Sequence, residues 1–421
     1  MKRLCMVLLV VFTVMATSCD EKDDKRMLFL PKGESPEDIV NDEQGSGDFK
    51  FQMIHEVLFD LQVYDQANNP LSGALIRVAS GEGDIMTAFT EGNGTAGFKI
   101  SINNTVESIT LTIEHASCVS RTIEIDNVQD LALVSRSIFL ELSDNGKAKP
   151  DRDEDGVSDD SDEFPDDPFL IGTVRGEFTI AYEDQWPAKG DADFNDLVVR
   201  LGITEYIDNN NKVSKIVVTS KLLAAGAGYK NQFWIGVLDK DYLLIFNPKQ
   251  DLNGKWNTRV KDEYVDGPVH TEEIILASPV ARDKMDAMPY DPYIKCNGND
   301  KNQVHLSFVK SKFLGDTLDA ENFPWALLVP ADWGWPAEGS SIFDAYPQFK
   351  PWYESKGAEY KDWYLHPDAD KVFNAPSDSA LSAYLLKVSG RINTGAVIGV
   401  LAAMILLVVV LGVRRRRRAG V

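Results

Sequence analysis

The sequence predicts a mainly β protein with two antiparallel β-sandwich domains and one C-terminal transmembrane helix. Three observations predict this fold class. Short segments of alternating apolar residues recur along 48–145 and 169–375, and turn residues separate them. A charged connector at 146–168 interrupts this pattern. An uncharged apolar run at 396–413 precedes five arginines, and about 20 apolar residues are enough to cross a bilayer.

The first residues are typical of an exported protein. Lys2 and Arg3 precede an apolar run at 4–16, which predicts a secretory signal peptide over 1–18. The small residues before Cys19 resemble the lipobox of bacterial lipoproteins, and this resemblance implies that Cys19 carries a lipid. The acidic run directly after the cysteine resembles the surface-export signal of lipoproteins in the Bacteroides group. An ordinary signal peptide ending near a chance cysteine is the alternative.

The other end of the chain carries a second apolar segment. We expect a linker at 376–393, a transmembrane or sorting helix at 394–413 and a basic cytoplasmic tail at 414–421. The arginine cluster keeps this end in the cytoplasm, so the bulk of the chain lies outside. The segment also resembles the C-terminal sorting tails of bacterial surface proteins, which a protease removes. A permanent span and a cleaved tail stay open.

The charge of the chain excludes one class of partner. The formal net charge is −22, and removing the seven positive charges of the two ends leaves −29 for the exported body. Nucleic acid is therefore excluded as a partner, because its binding needs clustered Lys and Arg. Such acidity favours calcium binding or simple solubility. The cysteines outside the signal region, Cys118 and Cys296, lie far apart in sequence, so no disulfide framework is expected.

The polar residues 19–47 predict an acidic tether, and a β-sandwich of the prealbumin or immunoglobulin type follows over 48–145. Its motifs are V-x-D at 63–65, N-P-L-x-G-A at 69–74 and T-x-G-x-G-x-A-x-F at 90–98. Their order is similar to the carboxypeptidase-regulatory or prealbumin-like modules of bacterial surface proteins. That resemblance implies a spacer or stalk.

The connector holds a twelve-residue pattern at 151–162, with acidic residues at positions 1, 3, 5, 9 and 12 and a glycine at position 6. A calcium loop needs this spacing because alternate side chains must converge on one ion. The predicted ligands, with Val157 contributing its backbone carbonyl, are Asp151, Asp153, Asp155, Val157, Asp159 and Asp162. The pattern resembles the thrombospondin type 3 repeat, including the Phe164-Pro165 that follows. We therefore expect a calcium-binding loop to join the two sandwiches; a solvated acidic linker is the alternative.

A second acidic cluster stands ahead of a predicted strand near residue 197. Its oxygen-bearing side chains are candidate ligands of a second metal ion, and a hydrogen-bonded structural turn is the alternative. The candidates are Glu183, Asp184, Asp191, Asp193, Asn195 and Asp196.

The sequence pattern around this cluster is more specific than its acidic composition alone. The pattern E-D-x-W-P-x-x-G-D-x-D-F-N-D-L-V-V at 183–199 resembles the signature of the LruC domain of bacterial surface lipoproteins. Segments at 225–233, 335–352 and 362–364 extend the resemblance over the domain predicted at 169–375. It implies a β-sandwich export domain without an assigned reaction, and it supplies no catalytic residues.

The sequence is compatible with two function classes, an enzyme and a non-enzymatic binding protein. Tryptophans interspersed with acids suggest a polysaccharide-active, glycoside hydrolase-like lipoprotein, because such enzymes combine aromatic platforms with paired carboxylates. The tryptophans concerned are Trp325, Trp333, Trp335, Trp352 and Trp363. No nucleophile elbow, zinc motif or phosphate loop occurs. We therefore expect a non-enzymatic, calcium-stabilised protein of the bacterial outer membrane or cell surface that binds a glycan or another surface protein.

Overall fold

The computed structural model describes residues 49–376, apart from residues 82, 144–149, 156, 161, 246–254 and 331. The predicted signal peptide, lipidated Cys19, tether, C-terminal helix and basic tail lie outside the described residues. The predicted calcium loop lies within them, although two of its twelve positions are not described.

The first part of the chain forms two small sheets from seven strands. The strands are β1 (Ile54–Asp65), β2 (Leu75–Ser80), β3 (Gly83–Phe89), β4 (Thr95–Asn103), β5 (Ser108–Glu114), β6 (Arg121–Asp126) and β7 (Leu133–Leu140). One sheet has the order β4-β1-β7 and the other β3-β2-β5-β6. Strand β1 pairs with β4 in antiparallel fashion and with β7 in parallel fashion.

The second part contains a five-stranded sheet, a four-stranded sheet and a two-stranded ribbon. Its strands are β8 (Gly172–Tyr182), β9 (Leu197–Ile207), β10 (Lys212–Ala224), β11 (Gln232–Val237), β12 (Lys240–Ile245), β13 (Val269–Ala281), β14 (Asp291–Lys295), β15 (Gln303–His305), β16 (Ala326–Pro330), β17 (Trp335–Pro336) and β18 (Val372–Phe373). The orders are β13-β10-β9-β8-β16, β12-β11-β14-β15 and β17-β18, all with antiparallel pairs. Two short helices lie between β17 and β18, α1 (Ile342–Ala345) and α2 (Phe349–Glu354).

The burial pattern along a strand shows whether one or both faces of its sheet are covered. Strands β4 and β5 alternate buried and partly exposed residues, as expected for sheets with one face on a core. Strand β9 is buried at every position, because it lies in the middle of the five-stranded sheet and both faces are covered. The polar Arg200 and Glu205 on this strand are therefore buried and need partners.

An aromatic core covers one face of the five-stranded sheet. It collects Trp333, Trp335, Trp352, Trp363 and neighbouring rings from the C-terminal segment. Phe194 from the loop before β9 and Phe51 from the start of the described chain also belong to it. The tryptophans that suggested a sugar platform are instead core residues, each at most 5% exposed.

Side chains of the first part pack directly against the second. Ser101 Oγ donates to the Met288 carbonyl at 2.7 Å, and Asn103 Nδ2 donates to the Tyr364 hydroxyl at 2.8 Å. One hydrophobic cluster runs through both parts, from β1 to β16. The domain boundaries expected from the sequence, 48–145 and 169–375, stay a prediction.

The predicted fold class is wrong in two respects. The first part is not wholly antiparallel, because β7 returns alongside β1 in the same direction. The second error is the expected C-terminal transmembrane helix, which the structure does not support. Within 49–376, apart from the gaps given above, no helix is long and apolar enough to cross a membrane, and the segment at 394–413 lies outside these residues. The structure is mainly β, with several sheets that are largely antiparallel.

Candidate metal centres

The connector brings three of its predicted ligands together. One carboxylate oxygen each from Asp151, Asp153 and Asp155 lies within 4.8 Å of the others. The D-x-D-x-D spacing accounts for this convergence, since residues two apart turn their side chains to the same side of an extended loop. The Asp155 Oδ1 accepts a hydrogen bond from the Val157 amide at 2.9 Å.

Asp162 follows in the same loop, which carries buried carboxylate oxygens without a hydrogen-bond partner among the described residues. Asp162 Oδ1 accepts a hydrogen bond from the Phe164 amide at 2.6 Å. The second oxygens, Oδ2 of Asp153, Asp155 and Asp162, have no hydrogen-bond partner among the described residues. Burial, together with the neighbouring charges of Asp155 and Asp153, raises the pKa of Asp162 to about 7. Burial likewise raises the pKa of Asp155.

Two predicted ligands of the connector, Asp159 and Val157, make other contacts with their side chains. The Asp159 carboxylate accepts from the Arg152 amide at 2.9 Å and from the Arg152 Nε at 3.2 Å, so its charge is already paired. The Val157 side chain is 4% exposed and belongs to the main hydrophobic core. A hydrophobic anchor at this position holds the loop in place, which the acidic pattern alone did not indicate.

The second acidic cluster divides into two groups. Glu183, Asp191 and Asp193 each bring a carboxylate oxygen within 4.8 Å of the others. Asp184 and Asp196 form a separate contact, in which the Asp184 amide donates to Asp196 Oδ2 at 2.9 Å. The six predicted ligands therefore do not all converge on one point, and their role as metal ligands stays a prediction.

Glu183 is the most buried member of the first group, at 1% exposure. Its Oε1 accepts a hydrogen bond from the Phe194 amide at 2.7 Å, while its Oε2 has no hydrogen-bond partner among the described residues. Burial is the main cause that raises the pKa of Glu183 to about 8, and burial with the charge of Asp191 raises the pKa of Asp193 to about 6. No lysine or arginine in the described part of the chain forms an ion pair with these three carboxylates, and like charges this close raise one another's pKa values.

The loop that carries this group has an unusual backbone. Ala192 and Phe194, on either side of Asp193, both have positive φ angles, 61° and 46°. Such angles cost on the order of 1–3 kcal/mol for residues other than glycine and require support from surrounding contacts. Here the Ala192 carbonyl accepts from the Ile342 amide at 2.6 Å, and Asp193 Oδ2 accepts from the Gly339 amide at 3.2 Å.

The Asp184 group is satisfied by groups that the sequence did not point to. Asn231 Nδ2 donates to Asp184 Oδ2 at 2.6 Å, and Asn231 Oδ1 accepts from the Asn297 amide at 3.2 Å. Burial and the charge of Asp184 raise the pKa of Asp196. We missed Asn231 as a partner because it lies 47 residues away in sequence.

The Asn195 amide donates to Asp193 Oδ1 at 3.4 Å, whereas its side chain makes structural contacts outside both groups. The Asn195 Nδ2 donates to the Pro336 carbonyl at 3.2 Å, and the Asn195 backbone carbonyl accepts from the Gly226 amide at 2.8 Å. A Cβ at Gly226 would overlap the Asn195 side chain, which explains the small residue there. The LruC-like segment at 225–233 therefore packs directly on the 183–199 segment.

Comparisons with known proteins add a family model and distant structures. A model described as a domain of unknown function, DUF4842, matches residues 239–364, which is less than half of the chain. This description does not mention an LruC domain, so that resemblance stays a prediction. No curated protein matches this chain.

Three solved structures resemble parts of this chain at low identity. A candidate lipoprotein from Bacteroides ovatus has 13% identity and a TM-score of 0.41, with 72% of this chain and 99% of that chain covered. The 3-chlorocatechol 1,2-dioxygenase from Rhodococcus opacus 1CP has 13% identity and a TM-score of 0.18, covering 24% and 62%. The Bacillus anthracis TIE protein has 11% identity and a TM-score of 0.16, covering 57% and 45%. At these TM-scores the likenesses carry no argument about mechanism.

Proposed function

We propose that this chain is an exported, non-enzymatic cell-envelope protein whose connector binds calcium. The lipid at Cys19 attaches the protein to the membrane, and the calcium ion stabilises the connector between the first and second β parts. A lipobox-like signal region and the acidity of the body support export and surface placement.

One observation carries the calcium assignment. Three buried oxygens, Oδ2 of Asp153, Asp155 and Asp162, have no hydrogen-bond partner among the described residues, although the other oxygen of each carboxylate accepts a backbone amide. Buried carboxylate oxygens normally have partners, and their absence costs free energy. A calcium ion, which takes six to eight oxygen ligands, supplies the missing partner.

Contacts at the C-terminal end of the connector attach it to the second β part, so a bound ion would also restrain that attachment. The Phe164 ring contacts the Tyr206 ring in a tilted arrangement with centroids 5.9 Å apart, and Glu163 Oε2 accepts from the Thr173 hydroxyl at 2.7 Å. These contacts fasten the end of the loop to β8 and β9. An ion that closes the loop therefore limits the movement of the chain between β7 and β8.

The ligand bound at the cell surface is a glycan or another surface protein. The buried position of the five C-terminal tryptophans leaves them unable to form a sugar platform in this conformation. No contact among the described residues favours the alternative, a polysaccharide-active enzyme. Binding is measured on glycan arrays and in surface-protein extracts, with and without calcium, to distinguish a glycan from a protein ligand. Release of sugar products would instead favour the enzyme.

Calcium calorimetry on the full chain in detergent tests the connector assignment. We compare the wild type with the double variant Asp153→Ala/Asp155→Ala, hereafter the connector variant. The control is Glu154→Gln, which removes an exposed charge from the same loop. We expect binding with a dissociation constant on the order of 0.1–1 mM, the range of extracellular calcium modules. One site should be lost in the connector variant and retained in the control.

The opposite result would remove the proposal. If the wild type and the connector variant bind the same number of calcium ions, the connector is a solvated acidic linker. Loss of the site in the Glu154→Gln control as well would show that total charge, rather than the convergent oxygens, controls binding.

A further inference from the structure

A second group of acids lies outside the connector, in the loop between β8 and β9. Glu183, Asp191 and Asp193 place one oxygen each within 4.8 Å of one another. A calcium ion binds oxygens at about 2.3–2.6 Å, so its ligands lie at most about 5 Å apart. The separation of the three oxygens therefore fits one ion between them.

An independent observation points to a ligand at this place. Glu183 is 1% exposed, and its Oε2 has no hydrogen-bond partner among the described residues. A Cβ at Gly190 would overlap this same oxygen, so the glycine leaves room for the carboxylate in the loop. A buried carboxylate oxygen without a partner costs free energy, and a bound cation removes that cost.

No side chain in the described part of the chain neutralises this group. Glu183, Asp191 and Asp193 form no ion pair with a lysine or arginine among those residues. The nearest lysine in sequence, Lys189, instead contacts Glu321 at 2.5 Å. Burial and mutual repulsion accordingly raise the pKa values of Glu183 and Asp193.

The donor set identifies the class of ion. The three side chains offer carboxylate oxygens alone, which hard cations such as Ca²⁺ and Mg²⁺ prefer over Zn²⁺. Mg²⁺ demands near-octahedral geometry and keeps several waters, whereas Ca²⁺ accepts irregular geometry and more protein oxygens. A carboxylate as buried as Glu183 leaves little room for retained waters, and this favours calcium.

We propose that Glu183, Asp191 and Asp193 form a second calcium site, separate from the connector site and independent of it. The ion couples the loop before β9 to the C-terminal aromatic segment. Asp193 Oδ2 accepts from the Gly339 amide at 3.2 Å, and the adjacent Ala192 carbonyl accepts from the Ile342 amide at 2.6 Å. Calcium at this site therefore stabilises the packing of residues 335–373 on the five-stranded sheet.

The test uses the full chain carrying the connector substitutions, so that any remaining calcium binding belongs elsewhere. Into this background we introduce Asp191→Asn, Glu183→Gln or, as the matched control, Glu321→Gln. Asp191 is exposed, so its substitution leaves folding intact, whereas Glu183 is buried and its variant is checked by circular dichroism. Glu321 is an exposed acid whose lysine partner lies in the same loop. Calorimetry with calcium alone, and then with magnesium as competitor, is the measurement.

We expect one calcium ion per chain in the background. Asp191→Asn should weaken binding by at least about tenfold and Glu183→Gln should abolish it, since each removes a ligand charge. The control should change the affinity less than about threefold, as surface charges do. If Glu183→Gln does not fold, the Asp191→Asn result decides.

Three outcomes overturn the proposal. The first is that the background protein binds no calcium. The second is that Asp191→Asn binds calcium as tightly as the control, and the third is that magnesium occupies the site as well as calcium does. Failure here leaves the connector assignment standing, because the wild type would still lose one ion on the connector substitutions. Failure of the connector assignment alone would leave one ion that responds to Asp191→Asn.

Discussion

Arg282 and Glu205 form an ion pair of 3.1 Å in the interior of the protein, with side chains 6% and 3% exposed. The Tyr290 hydroxyl donates to Glu205 Oε1 at 2.5 Å, and Arg282 Nη1 approaches the Met86 sulfur of the first part at 3.5 Å. The pair therefore lies where the two β parts meet. Burial of charge at such a place is tolerated only because both charges have partners.

Removing one member of this pair should destabilise the protein. We expect Arg282→Ala to lower the free energy of unfolding by about 3–5 kcal/mol, because Glu205 is left as an uncompensated buried charge. Urea unfolding measures the change. The control is Arg77→Ala, whose exposed pair with Asp84 at 3.4 Å is worth about 0–1 kcal/mol. Equal losses in both variants would show that the buried pair does not stabilise the contact between the two parts.

The aromatic core should respond strongly to truncation. Trp363 is fully buried and packs edge to face against Tyr346 and Phe349. Trp363→Ala should cost about 3–5 kcal/mol through the cavity that it leaves. Tyr360→Ala, at a ring that is 45% exposed nearby, should cost much less. Thermal unfolding followed by tryptophan fluorescence distinguishes the two, and a small effect at Trp363 would contradict the packing described.

Stability without calcium should fall as pH rises. The folded pKa values of Asp162 and Glu183 are raised, to about 7 and about 8, above ordinary carboxylate values near 4. The folded, calcium-free chain therefore holds more protons than the unfolded chain in this window, and linkage lowers stability toward pH 8. We expect Tm in EDTA to decrease between about pH 5 and pH 8, and saturating calcium to remove most of that decrease.

A variant isolates the two carboxylates that cause this pH dependence. Asp162→Asn/Glu183→Gln cannot ionise at these positions, so its Tm in EDTA should vary less with pH than that of the wild type. Differential scanning calorimetry at several pH values provides both curves. Identical slopes in wild type and variant would exclude these carboxylates as the cause.

The glycine of the second acidic loop should matter for calcium binding. A Cβ at Gly190 would overlap Glu183 Oε2, whereas a Cβ at Gly172 would meet nothing within 4 Å. In the connector variant, Gly190→Ala should weaken calcium binding at least about tenfold by displacing the carboxylate, and Gly172→Ala should not. Calorimetry measures both, and unchanged binding in Gly190→Ala would place the ion away from Glu183.

Local patterns determined much of the β structure in advance. Alternation of apolar residues predicted strands within 48–145, and the structure has β1 at Ile54–Asp65 and β5 at Ser108–Glu114 there. The reason is that the period of two, which puts one face on the core, is visible within a few residues. Strand β13 lacks a clear alternation, because it is a largely exposed edge strand whose sequence contains charged residues and a proline.

The acidic spacings also predicted which oxygens could converge. The D-x-D-x-D order placed Asp151, Asp153 and Asp155 together, since the geometry of one loop depends on residues close in sequence. Whether calcium occupies the connector stays a prediction until binding is measured.

Only the tertiary structure decided how the remaining groups are used. It directs Asp159 to Arg152 and divides the second acidic cluster into two groups. It also buries four of the five C-terminal tryptophans in one aromatic core. It also pairs β7 with β1 in parallel and gives Asp184 its partner Asn231. Most of these relationships join residues far apart in the chain, and they depend on which faces pack together. Composition and spacing therefore indicated which residues can bind an ion, while long-range packing decided which of their oxygens lack other partners.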